Sequence, residues 1–220
     1  YWGLAEKGVR GPSRRKANKN APEPRGVTVL PGDYKLVVHY GDAKDSTTVS
    51  VAYDPRVDMP MTTLKAKYDL LKQLEKKMAV AGKAVEQLKE SKKIAESYKK
   101  QLKHHKGDPY KDALKSTDSI TKSIGKLIDG MIGKEDKRQG ITRNPQPTPM
   151  TFLRTARRYV GSLLQMPGKT EKDAIQNANE KVDGAMKPIN AFFKTKWPQY
   201  RKQIEDLNLT LFKDFKELKE

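Results

Sequence analysis

The chain has 220 residues, 35% of them hydrophobic and 33% charged, with no cysteine and a formal net charge of +18. That length permits one large or two small cores; disulfide staples are excluded, and no apolar run approaches the ~20 residues that a membrane-spanning helix needs. The mean hydropathy of −0.84 is polar for a compact globule but ordinary for long helices that each bury one stripe.

Residues 1–57 read as a small β-module. Tyr1-Trp2-Gly3-Leu4 is a candidate strand and resembles a segment cut from a longer polypeptide. Residues 11–25 carry Pro12, Pro22, Pro24 and five basic side chains, the composition of a loop that buries little. Leu30-Pro31-Gly32-Asp33 is a turn signal, with Pro setting φ at its second position and Gly supplying positive φ at its third. Tyr34 to Tyr40 and Asp45 to Tyr53 are rich in β-branched and aromatic residues and pair across Gly41-Asp42-Ala43-Lys44. Alternation puts Tyr34, Leu36, Val38 and Tyr40 on one face, with Val49, Val51 and Tyr53 on one face of the partner strand. Three or four strands of this size make a thin sandwich fragment that leans on a neighbour.

At Asp54-Pro55-Arg56 the hydrophobic period changes from two to three or four, and residues 58–220 read as helices. The first spans about 60–105. Its Leu71, Leu74, Met78, Ala81, Val85, Leu88, Ala95 and Leu102 follow a seven-residue repeat interrupted only by Lys92 and Lys99, a bundle or coiled-coil seam. Asp108-Pro109 reads as a cap followed by Pro at the first helical position, opening a helix over 109–133 with the stripe Leu114, Thr117, Ile120, Ile124, Leu127 and Met131. After a polar loop from Lys134 to Gln146, Thr148-Pro149 opens a third helix over 149–165, with Phe152, Ala156, Tyr159, Val160 and Leu163 on one side. Met166-Pro167-Gly168 stops it, and the fourth runs over 170–218 from Ala174 through Trp197 and Tyr200 to Leu211. Pro188 and Pro198 are each expected to kink or break it. The expected fold is therefore α+β: a small antiparallel sandwich fragment followed by an antiparallel four-helix bundle.

The candidate sites are few. Asp54, Pro55 and Arg56 read as a structural hinge, with Pro ending the strand ladder and the two charges tying the turn to the helix. Arg154, Arg157 and Arg158, together with Trp197, form a candidate partner surface, since Arg grips carboxylate or phosphate. Trp197 also belongs with Phe192, Phe193 and Tyr200 in a cluster at helical spacing that reads first as core and second as a groove for a partner peptide. His104 and His105 are adjacent, so on a helix they diverge by about 100°, and no third ligand is spaced to join them. Asn208-Leu209-Thr210 fits a glycosylation sequon but lies inside a helical pattern. No nucleophile–base–acid set, phosphate loop or metal-ligand spacing is visible. The expectation is a non-enzymatic chain with no cofactor and no metal.

The positive charge attracts polyanions, but it is dispersed: residues 61–106 hold thirteen basic and five acidic groups, and residues 146–220 fourteen and nine. Dispersal of this kind describes a solvated basic surface. A nucleic-acid site clusters Arg with interleaved aromatics. Binding to a polyanion or anionic surface is kept as an alternative function.

Three segments resemble one family. Tyr1-Trp2-Gly3-Leu4 is similar to the "W-D-L" strand that opens an Ig-like segment. Val29 to Val38, with Pro31-Gly32-Asp33-Tyr34 at its centre, resembles the "P-G-x-Y-x-V-x-L" strand of the same module. Val51 to Val57 matches its closing "V-x-x-D-P-R", and a long helix with Tyr68-Asp69-Leu70-Leu71 follows. This looks like the Ig-like segment and helical tail at the C-terminus of bacterial sortilin-type BNR/Asp-box "glycosyl hydrolase" propeller proteins. The resemblance implies a non-catalytic accessory module of an exported protein (periplasmic, outer-membrane-associated or extracellular). It also implies that the propeller of the same polypeptide is a partner, alongside other proteins. A hydrolase-like active site, the remaining alternative, would lie in the propeller, because the Ser-x-Asp-x-Gly-x-Thr-Trp box does not occur in these 220 residues. The basic insertion between Gly11 and Arg25 departs from the family pattern.

A dispersed charge predicts weak retention on heparin, with elution below about 0.3 M salt, because sparse phosphate- or sulfate-type contacts are lost steeply as salt rises. Retention beyond that concentration would mean that the lysines and arginines converge on a focused anion site.

Overall fold

A computed structural model describes residues 2–15, 18, 20–135 and 146–209. The fold is α+β, with two small antiparallel sheets followed by helices. Its strands are β1 (Ala5–Lys7), β2 (Arg25–Thr28), β3 (Gly32–Tyr40) and β4 (Ala43–Val51). Its helices are α1 (Met61–Leu102), α2 (Asp108–Ile132), α3 (Pro149–Gly161), α4 (Lys169–Ala191) and α5 (Trp197–Glu205), with one π-helical turn, Phe192–Lys196, between the last two.

The chain divides into two compact units. The first holds Tyr1–Gly82 and Pro149–Val182, and the second holds Lys83–Thr148 and Asp183–Glu220. Both α1 and α4 run from one unit into the other along the chain.

In the first unit, the four strands form two separate two-stranded antiparallel ribbons. β1 pairs with β2 from Ala5↔Thr28 to Lys7↔Arg25 across an irregularity. The opening strand thus begins at Ala5, later than expected, because Leu4 takes a left-handed φ of 52° that cannot continue a ladder. Two glycines let the pair close up. A Cβ on Gly26 would lie 2.7 Å from the Glu6 carbonyl oxygen, and one on Gly8 would lie 2.6 Å from the Arg25 carbonyl carbon.

β3 and β4 form a nine-residue hairpin from Gly32↔Val51 to Tyr40↔Ala43. Its loop is Gly41-Asp42 alone, two residues shorter than expected. Gly41 has φ 55° at the first turn position, where the tight hairpin turns that suit strand twist call for glycine. Gly32 likewise opens β3, so it belongs to the strand and not to the preceding turn.

The described residues of 11–24 lack regular structure, as expected, but the start of the segment packs. Pro12 is buried, and the backbone at Arg10-Gly11 crosses α1 at Gly82, where a Cβ would fall 2.5 Å from the Arg10 carbonyl oxygen. The core of this unit is made of Leu74 and Met78 from α1, Met150, Leu153, Ala156 and Val160 from α3, and Ala178 and Val182 from α4. Tyr159 sits outside that stripe at 40% exposure, because the buried positions of α3 run 150, 153, 156, 160. α3 ends at Gly161, four residues earlier than expected, and α4 starts at Lys169, where the Glu171 carboxylate accepts from the Gly168 N–H at 2.9 Å.

In the second unit, α1 contributes Val85, Leu88, Ala95 and Leu102, and α2 contributes Thr117, Ile120, Ile124 and Met131. The residue before α2 is Gly107, with no side-chain cap, and Asp108 lies inside the first turn. Its carboxylate is favoured there by the helix dipole. α5 packs on α2: Thr117 Oγ1 donates to the Ala113 carbonyl at 2.7 Å, so the Tyr200 hydroxyl donates to Thr117 at 3.1 Å.

Neither proline ends the last helical run at its own position. Pro188 lies inside α4, four residues after Gly184, so the carbonyl its ring crowds belongs to a residue with extra backbone freedom. Pro198 is absorbed by the π-turn, in which the Trp197 N–H reaches the Phe192 carbonyl and the missing proline donor falls in the first turn of α5. Helix is absent over 206–209, and the remainder of the expected fourth helix lies outside the described residues, as does most of the loop before α3.

Two glycine-to-alanine substitutions separate packing from propensity. Gly82→Ala is expected to destabilise by about 1–3 kcal/mol, because its Cβ meets backbone that cannot yield without moving residues 10–11. Gly125→Ala on α2 meets nothing within 4 Å and is expected to stabilise by ~0.5–1 kcal/mol. Urea unfolding of the two variants against the parent chain measures both.

Candidate functional site

The first unit is joined across its elements by one polar cluster. Glu6 on β1 accepts from the Tyr68 hydroxyl through one carboxylate oxygen and from Lys72 Nζ at 2.5 Å through the other. Lys72 also reaches Glu75 Oε2 at 2.8 Å. Glu75 is buried, and among the described residues its second oxygen accepts no hydrogen bond. Lys72 and Tyr68 hold the Glu6 carboxyl below its ordinary range, and the same contacts push the Lys72 ammonium and the Tyr68 hydroxyl upward. A lysine between two carboxylates, 66 residues from one and three from the other, fixes the strand to one turn of α1.

This anchoring frames a cavity of about 350 Å³. The chain from Gly26 to Pro31 forms one wall, with Leu64, Lys67, Tyr68 and Leu71 of α1, Arg157 and Gly161 of α3, and Tyr53 completing it. Lys67 Nζ donates to the Leu163 carbonyl at 2.9 Å, and burial pushes its ammonium below the ordinary lysine value. No Asp or Glu lines the cavity. The sequence carried one signal for it: Lys67 lies one heptad before Leu74, on the seam itself, where an apolar residue belongs.

The hairpin presents the other notable surface. Near its base, Tyr34 meets Trp2 edge-on with ring centroids 5.3 Å apart, and its hydroxyl donates to the Leu30 carbonyl at 2.6 Å. Beyond that contact the same face is bare. Leu36, Val38 and Tyr40 are 46%, 59% and 86% exposed, opposite Thr47, Asp45 and Ala43. Side chains two apart on a strand share a face, so these three form one continuous apolar row.

The residues singled out from the sequence divide between the two units. Asp54 accepts from the Arg56 backbone N–H and Nε at 3.0 Å each and from Nη2 at 2.7 Å, so the charge-assisted bonds run within the turn instead of from the turn to the helix. Arg56 holds the Asp54 carboxyl below its usual range. Pro55 is exposed between them. Arg154 and Arg158 are exposed, and the Arg158 guanidinium lies 6.0 Å from the Tyr159 ring centroid. Arg157 is half-buried at the cavity.

Trp197 belongs to the second unit, tilted against Phe192 and Tyr200 with centroids 6.3 Å and 5.6 Å away. His105 stacks on Tyr110 at 4.8 Å. Among the described residues no group of three or more His, Asp or Glu side chains is placed to hold a metal, and no helix is long and apolar enough to cross a membrane. Asn208 takes a left-handed φ of 45° outside any helix, while Thr210 lies outside the described residues. No family model matches the chain, and neither a curated protein nor a solved structure is significantly similar to it.

The Glu6 cluster predicts an acid-labile attachment. Because the native Glu6 pKa lies below its unfolded value, its stabilisation is complete above the ordinary carboxyl range and is lost as pH falls through the native value. In urea unfolding followed from pH ~6 down to ~3, Glu6→Gln should lose markedly less stability than the parent. Parallel pH profiles would mean the carboxylate contributes nothing.

Proposed function

We propose that the chain is a non-catalytic accessory module of an exported, sortilin-like β-propeller protein, and that it binds another folded domain through the apolar face of its hairpin. One observation carries this reading: the uncovered row Leu36, Val38 and Tyr40. A two-stranded ribbon has marginal stability in water, and a row of large apolar side chains on one gains most from being covered. Tyr40, amphipathic and 86% exposed, is the residue type that interface centres favour. The partner this reading commits to is the propeller of the same polypeptide.

Export and the propeller partner are supported by the Pro31-Gly32-Asp33-Tyr34 and Asp54-Pro55-Arg56 motifs and their place ahead of a long helix. The same proposal includes the finer fold reading, with Ig-like character for residues 1–57 and an antiparallel four-helix bundle for 58–220. It is supported by the antiparallel strand pairs and by the buried heptad seam of α1.

Residue-level footprinting tests the docking face. In the full native polypeptide, oxidative labelling of Tyr40 should fall several-fold relative to the isolated 220-residue chain. Replacing Leu36 and Val38 together by Thr, with Tyr40 kept as the probe, should remove that difference while changing the isolated chain's stability by no more than about 0.5 kcal/mol, the range of ordinary surface substitutions. Equal labelling of Tyr40 in both contexts overturns the reading.

A further inference from the structure

We propose that the cavity between the Gly26–Pro31 segment, α1 and α3 binds a small amphipathic carboxylate, its apolar body against the aliphatic walls and its head between Lys67 and Arg157. This is a second, independent site, separate from the hairpin face in both residues and chemistry.

The volume comes first. About 350 Å³ sits at the small end of the ~300–1,000 Å³ range of small-molecule pockets, which suits a medium-length alkyl acid or a single-ring aryl acid. The walls come second. Val27, Val29, Leu30, Leu64 and Leu71 supply aliphatic surface, and the two phenols, Tyr53 and Tyr68, add aromatic surface.

The charges decide the class of ligand. Lys67 and Arg157 both line the cavity, and neither makes an ion pair with a carboxylate among the described residues, although most of the cations that do pair lie on the exposed surface. The Lys67 ammonium has three protons and one carbonyl partner, Leu163, which leaves donors for a ligand. A partly buried cation without a counter-ion is costly, and its burial already lowers the Lys67 pKa. A bound anion offsets that cost. Arg157 supplies a planar fork that fits the two oxygens of a carboxylate. With no acid among the lining residues, a cationic or zwitterionic guest finds nothing to pair its positive end.

Gly161 gives an independent test of access. It lines the cavity, its φ is not left-handed, and a Cβ built on it meets nothing within 4 Å. Neither packing nor backbone geometry requires glycine there. The missing side chain leaves the end of α3 open beside the cavity.

Calorimetric titration of the 220-residue chain with octanoate, 1-octanol and octyl phosphate tests the assignment. Octanoate should bind with a Kd below about 1 mM, and 1-octanol at least about tenfold more weakly, the size of one charge-assisted contact. Arg157→Gln should weaken octanoate by about tenfold or more and leave the weak 1-octanol binding unchanged. Gly161→Phe should block octanoate while the unfolding midpoint stays that of the parent, so that loss of binding is not loss of fold. No heat with octanoate, equal affinity for the acid and the alcohol, or full binding by Gly161→Phe would each overturn the proposal. Tighter binding of octyl phosphate than of octanoate by tenfold or more would overturn the carboxylate assignment.

Discussion

The first unit depends on how tightly the N-terminal strand is held to α1. Two physical elements do this. Backbone meets backbone at Gly82, with no room for a methyl group, and one lysine, Lys72, bridges carboxylates from a strand and a helix. The close approach permits dispersion contact and excludes water, while the bridge supplies direction and register. The cavity wall from Gly26 to Pro31 is held by β2, which pairs with β1, which carries Glu6. Loosening Glu6 therefore reaches the cavity through one ladder of hydrogen bonds.

Polarity in this unit is arranged unevenly. Lys72 is satisfied twice over, whereas Lys67, less than two helical turns earlier, has only a carbonyl. Both lie on α1, and both are partly screened from water. The difference comes from what accompanies them: β1 brings a glutamate to Lys72, whereas the Gly26–Pro31 segment that lines the cavity with Lys67 carries no carboxylate. A net charge of +18 says that many cations lack partners, but it does not say which of them are also short of water. Burial makes that selection, and it picks Lys67 and Arg157 over the exposed majority.

Much of the secondary structure was legible because it depends on short-range pattern. The seven-residue repeat of α1 predicts its buried seam, and Leu74, Met78, Ala81, Val85, Leu88, Ala95 and Leu102 are buried. The β3–β4 hairpin follows from β-branched runs around Gly41-Asp42. A local signal leaves longer-range outcomes open. Pro198, expected to kink or break the last helix, follows a π-turn that interrupts the α-helical run. The described residues of 11–24 lack regular structure, as their composition predicts, yet Pro12 is buried. Alternation correctly placed Leu36, Val38 and Tyr40 on one face, but it is blind to whether anything covers that face.

The sequence alone therefore determined the α+β class, the change of period near Asp54 and the heptad seam of α1. Each of these is encoded by neighbours within a turn or two of helix, or across a short loop. Tertiary structure decided which apolar residues stay bare, which glycines admit a crossing backbone, and which two cations share a cavity. Those outcomes rest on pairs such as Glu6 with Lys72, Arg10 with Gly82 and Lys67 with Arg157, separated by 66, 72 and 90 positions. No periodicity links positions that far apart. Only the folded chain brings such residues to a shared contact or a shared cavity, where burial and charge begin to matter.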